Sequence, residues 1–409
     1  MADDRTARVA RVSPNGDGVI ETAAGITYLS GALPGDMVDV SDPSAPVLIA
    51  PISPDRRAAP LCSHFGRCGG CALQHMSDDF YLRWKLKLLE TALRQHGVTF
   101  DPAPMIRIPL ASRRRAVFTA IRGRAGARLG FRRRRSHELE AISDCAVLAP
   151  AIVAALPGLG EIATLLLPMQ SESRISVLST PEGLDVAFEA RRRSLAAREA
   201  EALLTFVSKL KIARLTAAGD PIALTATPTV SIADVRVTPP PGAFLQPSAA
   251  AEKHLQDLVV AGVGRAKRIA DLFCGLGTFA FPLARTAPVL AIDSDRSLLD
   301  ALEEARRRTN GLKPIETRVR DLFLDPLSPR ELADFDAVVF DPPRAGAGAQ
   351  AQSLARSRVT TAVAVSCNPA TLARDIKTLQ HGGFRLEAVT AVDQFQFTPH
   401  LEAVAVLTR

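Results

Sequence analysis

Cys367 lies in the tetrapeptide SCNP, 26 residues after Asp341, which opens the turn DPPR (Asp341 to Arg344). Further upstream, the glycine-rich segment DLFCGLGTFAF runs from Asp271 to Phe281. Each of these follows a short apolar run (RIADLF, AVVFDPP, TAVAVSC), so each should emerge at the carboxyl edge of a parallel sheet, where open α/β sheets bind ligands. Gly275 and Gly277 would let backbone amides approach a cofactor closely. A buried, inert thiol is the ordinary fate of a strand-end cysteine. The apolar lead-in followed by Asn368 and Pro369 favours a nucleophile instead.

A cofactor loop, an acidic-Pro-Pro turn and a downstream cysteine together describe methyl transfer through a covalent cysteine adduct. A glycine pair after a strand also suits a nicotinamide cofactor or a plain turn. Here the loop is headed by Asp271 without the GxGxxG fingerprint, and Asp293 ends the next strand, where it would hold ribose hydroxyls. Asp321, after RVRD, is placed to meet an adenine amino group, and this ladder favours S-adenosylmethionine. Exocyclic-amine methyltransferases carry an aromatic after the two prolines; Arg344 stands there and argues against that chemistry. Methylation at C5 of uracil does need a cysteine, because C5 attacks a sulfonium methyl only after a thiolate has added at C6. A base must then remove the C5 proton, and Glu402 in TPHLEAVAVL is the candidate.

The supporting elements follow from pattern. Residues 236–409 alternate strands and helices after the proline-rich linker TPPPGAFLQP, which predicts an α/β, doubly wound parallel sheet of the class I (Rossmann-like) type. Residues 56–235 read as a β-rich central domain, with a helix from Ser77, its candidate N-cap, to Gly97 and another from about Leu195 to Lys211. Residues 1–55 show short apolar runs between turns (SPNGDG, AAG, LPGD), the pattern of a small β-barrel. The stretch GDGVIETAAGITYLSGALPGDMVDV resembles the TRAM module, an OB-type barrel appended to RNA-modifying enzymes.

At 409 residues and 47% apolar composition the chain can bury a large core. The segment MADDRTARVARV has no apolar core that would make a signal peptide, and Pro157, Gly158, Gly160 and Glu161 interrupt the most apolar stretch. A cytoplasmic protein with reduced thiols is expected, a monomer by default. Cys62, Cys68 and Cys71 lie on a glycine-rich loop, and Cys145 follows much later. A zinc site usually draws on two short-spaced knuckles; one cluster of three with a distant fourth favours a 4Fe-4S cubane, with zinc and no metal as alternatives. The net charge of +7 is modest, but eleven arginines and no acid fall between Pro102 and His137. With Phe118 and Phe131 interleaved, that segment reads as a sheet face tracking a polyanionic backbone, or more simply as a solvated basic face.

With DLFCGLGTF, DPPR, SCNPATLARD and the terminal HLE assembled, residues 59 to 409 resemble the bacterial RNA uracil-C5 methyltransferase family, specifically its iron-sulfur branch acting on 23S ribosomal RNA. The resemblance implies Cys367 as nucleophile and Glu402 as base. It places Gln246, Phe273, Thr278, Asp293, Asp321 and Asp341 on cofactor-contacting positions and implies a 4Fe-4S cluster on Cys62, Cys68, Cys71 and Cys145. Ser248 stands where the family has Asn, and Asp293 where Glu is common. The transfer-RNA branch typically lacks the cysteine cluster and the barrel, so both tilt the expected substrate toward ribosomal RNA. The competing readings are a transfer-RNA uracil-C5 enzyme, an RNA cytosine-C5 methyltransferase and a non-catalytic RNA-binding assembly factor. Cytosine-C5 enzymes usually carry a second cysteine after the acidic-Pro turn, where this chain has Arg344.

Overall fold

The computed structural model describes residues 5–23, 25–100, 103–190 and 192–409. Three large sheets and one two-stranded hairpin organise them. The first contains β1 (Thr6–Val12), β2 (Asp17–Thr22), β3 (Gly25–Ser30), β4 (Met37–Asp39) and β5 (Val47–Ala50), in the order β3-β2-β1-β4-β5. Its end strands do not pair with each other among the described residues, so the expected closed barrel is an open half-barrel. Buried Asp36 ties its turns together, accepting from the amides of Leu33 (2.7 Å) and Ser53 (2.9 Å).

Helix α1 (Asp78–Gln95) begins as its sequence predicts, with the Ser77 hydroxyl accepting from the Phe80 amide. The short strand β6 (Ile106–Arg107) follows it. The middle sheet contains β7 (Arg115–Gly123), β8 (Gly126–Arg132), β9 (Leu139–Ala141), β10 (Glu172–Thr180), β11 (Gly183–Phe188), β12 (Ile212–Ala217) and β13 (Asp220–Leu224). One face of it is covered by α2 (Pro150–Leu166) and α3 (Ala197–Lys209).

Helix α2 is a departure from the sequence reading, which took this span as β-type. Its buried residues Ile152, Ala155, Leu156, Leu159, Ile162, Ala163 and Leu166 recur at helical spacing. The supposed breakers have uses there. Pro150 takes the first turn, where no amide partner is needed, and a Cβ on Gly158 would stand only 2.7 Å from Leu210. Burial of the apolar stripe outweighs the bond that Pro157 cannot donate.

After the hairpin β14 (Val230–Ile232) and β15 (Val235–Val237), the chain forms α4 (Ala249–Val263), β16 (Ile269–Leu272), α5 (Ala280–Leu283), β17 (Val289–Asp293), α6 (Arg296–Arg307) and β18 (Ile315–Val319). It continues through β19 (Ala337–Phe340), α7 (Gly348–Ala355), β20 (Thr361–Ser366), α8 (Pro369–His381), β21 (Arg385–Asp393) and β22 (Glu402–Thr408). The third sheet has the order β18-β17-β16-β19-β20-β22-β21-β6. Strands β16 to β20 are parallel, while β22 runs antiparallel to both neighbours, so the sheet is doubly wound but mixed. Both faces are apolar, as buried parallel strands require. Ile269 joins the core under α4, α5 and α6; its neighbour Ala270 joins the core under α1, α7 and α8.

Candidate active site

Register brings the predicted residues together. In the parallel pair, Leu272 lies opposite Phe340, so the glycine loop and Asp341 leave the sheet side by side. Because β22 is antiparallel to β20, its first residues lie at the rim where β20 ends; Ser366 pairs with Ala403, which sets Cys367 beside Glu402. One cavity of about 480 Å³ at this rim is lined by Gln246, Phe273, Gly275, Thr278, Asp293 and Asp321, together with Asp341, Cys367 and Glu402. Gly277 does not line it. Its φ of +90° and a Cβ position 2.9 Å from Phe281 make it a packing glycine behind the loop.

The loop itself is strained and already tied. Phe273 holds a left-handed φ of +60°, uncommon for an aromatic residue, and its ring packs 5.4 Å from that of Phe323. Phe323 lines the same cavity, a planar wall that no motif announced. Asp293 accepts from the Gly275 amide at 2.9 Å and from the Asp295 amide at 3.0 Å, so it shapes the loop as well as facing the cavity. Asp321 accepts from the Phe323 amide at 2.9 Å.

The end of the cavity at Cys367 is acidic, with both of its carboxyls largely out of solvent. Burial, then the neighbouring carboxyl charges of Glu402 and Asp341, push the Cys367 thiol up to about 11, with Arg344 pulling the other way. Glu402 and Asp341 are themselves raised, first by burial, and the Asp341 charge adds to the rise at Glu402. The Arg344 guanidinium donates to His400 Nε2 at 2.8 Å. Burial and the Arg344 charge hold His400 down to about 4, so its ring is the neutral acceptor. Gln394, unmarked by any motif, is buried in hydrogen-bond contact with Glu402 and Gln246.

The four N-terminal cysteines line a second cavity of about 410 Å³. Burial raises the Cys62, Cys68 and Cys71 thiols, Cys71 to about 12, and each is raised further by the charges of other members of the set. Among the described residues no three His, Cys, Asp or Glu side chains are grouped to hold a single metal ion. The loop bearing these cysteines touches the segment that leads into β22: the amides of Ala72 and Leu73 both donate to Phe397 O, at 2.8 and 3.1 Å.

The arginine runs do a different job from the one expected. Arg114 pairs with buried Glu252, and Arg115 donates to Ala243 O and packs over Phe244. Arg132 pairs with Glu172 and Arg133 with Glu138 and Glu140. Arg134 and Arg135 both grip Asp17 of the half-barrel, at 3.0 and 2.7 Å. Phe118 is fully buried against Phe131, so neither the two runs nor these rings form a free phosphate-tracking face. Glu252 and Asp17 lie far away in sequence, and Glu138 and Glu140 fall just past the segment's end, which is why it looked uncompensated.

Comparison with known proteins fits this rim. The family described as tRNA (Uracil-5-)-methyltransferase matches residues 224–409. An uncharacterized RNA methyltransferase of Brucella suis is 43% identical, covering 100% of this chain and 99% of its own. A 23S rRNA (uracil(1939)-C(5))-methyltransferase of Chromohalobacter salexigens is 33% identical, covering 100% of this chain and 90% of its own. The chain belongs to the RNA uracil-C5 methyltransferases. It is an S-adenosylmethionine-dependent enzyme acting on RNA. The solved tRNA (uracil-54, C5)-methyltransferase of Pyrococcus abyssi, in complex with S-adenosyl-L-homocysteine, superposes with a TM-score of 0.76 over 100% of both chains. At 23% identity that likeness speaks to fold alone. Among the described residues no helix is long and apolar enough to cross a membrane.

Proposed function

We propose that this methyltransferase modifies C5 of a uridine in 23S ribosomal RNA, with Cys367 as nucleophile and Glu402 as base. The observation that carries the reading is the meeting of Cys367, Glu402, Asp341 and the glycine loop around one cavity. The Cys367 thiolate adds to C6 of the uracil, and the C5=C6 electron pair moves into an enolate. S-adenosylmethionine supplies the methyl group, which C5 takes while the sulfonium sulfur keeps the bonding pair. Glu402 then removes the C5 proton and the thiolate leaves. Gln246, Phe273, Gly275, Thr278, Asp293, Asp321 and Asp341 hold the cofactor, with Gly277 keeping the loop close to its helix. The 33% identity to the Chromohalobacter enzyme favours ribosomal over transfer RNA.

In the same reading the chain comprises a TRAM-like unit (residues 1–55), a central RNA-binding unit (56–235) and the methyltransferase unit (236–409), and works as a cytoplasmic monomer. Cys62, Cys68, Cys71 and Cys145 hold a 4Fe-4S cluster. A zinc ion with Zn–S bonds of about 2.3 Å needs its thiolates within about 4 Å of one another, whereas a cubane spreads them over its corners. Four thiols lining one cavity are the donor set that the second case takes. When bound, the cluster supplies cross-linking of these loops; the chemistry above has no redox step.

The target base must leave its stack to meet Cys367. A groove of about 890 Å³ runs from the half-barrel past α1 to Cys367, offering Arg11, Arg83, Lys87 and Arg344 beside Trp84. The pairs Arg11–Glu21, Arg83–Asp55 and Lys87–Glu90 are largely exposed and cheap to exchange for phosphates. Nucleoside mass spectrometry of separated ribosomal and transfer RNA, with and without the gene, tests the reading. Loss of 5-methyluridine from 23S RNA is expected; loss from transfer RNA alone, or of 5-methylcytidine instead, would overturn it.

A further inference from the structure

Gln394 sits in no motif, yet it joins the two carboxyls that face Cys367. Its Nε2 donates to Glu402 Oε2 and, at 3.0 Å, to Gln246 Oε1. Gln246 Nε2 in turn donates to Asp341 Oδ2 at 3.2 Å. Both hydrogens of the Gln394 amide are thereby committed, while Oε1 of Gln394 and Oε1 of Glu402 are buried without a donor. The arm is fixed at its root. Neighbouring Asp393 accepts from the Tyr81 hydroxyl at 2.8 Å and from the buried Lys85 ammonium, and Val392 pairs with Glu402 across the sheet.

We propose that Gln394 is the positioning residue for proton removal: it holds the Glu402 carboxylate toward C5 and favours its ionised form when the proton is taken. This rests on the reading of Cys367 and Glu402 given above. Two buried carboxyls oppose each other's ionisation, and an N–H donor binds a carboxylate more strongly than a carboxylic acid. Gln394 therefore supplies at Glu402 what burial and Asp341 withdraw. The step it serves begins with the C6–S bond in place and with C5 carrying both the new methyl group and its original hydrogen. Glu402 takes that hydrogen as a proton, the C5–H pair becomes the C5=C6 bond, and the C6–S pair returns to Cys367 as thiolate.

The test is Gln394→Met, which keeps an unbranched side chain of similar length but cannot donate. Full-length protein, 23S RNA from cells lacking the gene and S-adenosylmethionine are mixed for a single turnover and quenched in SDS. Adduct formation should stay near the wild-type rate while release of 5-methyluridine-containing RNA slows by about tenfold to a hundredfold, so that covalent protein–RNA accumulates. The pH of half-maximal release should also rise, because the carboxylate has lost a donor. Gln394→Asn, retaining an amide on a shorter arm, should recover part of the release rate. Parallel loss of adduct and release in both variants, or an unchanged release rate in Gln394→Met, overturns the proposal. A control separates it from the underlying reading: RNA carrying 5-fluorouridine has no C5 proton to lose. If wild-type protein forms no stable adduct with that RNA, the assignment of Cys367 fails whatever Gln394 does.

Discussion

The chain keeps thiols in two neighbouring cavities, and the balance of charge around them differs. Cys367 faces the buried carboxyls of Asp341 and Glu402, whereas Cys62, Cys68, Cys71 and Cys145 share their space with Arg113, Arg115 and Arg134. Arg344 and Phe395 line both. A thiol beside acids stays protonated until something cationic enters, so the first cavity is quiet when empty. In the second cavity burial and the charges of its own members also raise the thiols, Cys71 to about 12, so there too ionisation waits for a cationic occupant, with guanidinium groups at hand to balance the charge that then remains.

The sharpest way to break this contrast is to remove the thiol of Cys367. Cys367→Ala should lower methyl transfer by at least about a thousandfold while RNA affinity, read by filter binding, stays near wild type. Next in size is the four-thiol cavity. Cys68→Ala should abolish iron binding by the purified protein and cost on the order of several kcal/mol of stability, seen as a lower thermal midpoint. Retention of both iron and stability would make the two cavities equivalent in kind. A smaller effect is expected from pH. Because burial and the neighbouring carboxyls raise Cys367 to about 11, its thiolate is a minor form at neutrality and grows as pH climbs, and Glu402, raised too, changes in the same direction. Adduct formation with 5-fluorouridine RNA should therefore rise, by up to about tenfold per unit between about pH 6 and 8. A flat profile would mean that bound substrate resets the thiol. The smallest effect lies at the clamp: Asp17→Ala strands Arg134 and Arg135 and should cost about 1–3 kcal/mol, measured as faster proteolysis near residue 55 with the catalytic rate unchanged.

Much of the rim was legible because parallel strands send their carboxyl ends to one edge, so motifs scattered from Asp271 to Glu402 had one place to converge. The N-cap of α1 was legible because capping is local, within Ser77 to Phe80. What escaped depends on partners distant in the chain. Asp17 and Glu252 lie outside the arginine-rich segment they neutralise. Gln394 acquires meaning only when β21 and β22 pair, and α2 only when Leu210 fills the notch left by Gly158. Local chemistry could be read; compensation across the chain could not.

Strand β6 is two residues long, yet it closes the edge of the methyltransferase sheet by pairing Ile106 with Val392. Those partners are separated by more than half the length of a 409-residue polymer. During synthesis Ile106 leaves the ribosome long before Val392 exists, so the catalytic sheet cannot be completed until translation is nearly over. The half-barrel and middle sheet, with their nearer contacts, can form first. A nascent chain of this enzyme would hold its first two sheets before it held a complete third one, and a fragment starting at residue 236 would lack its edge strand however well the rest folded.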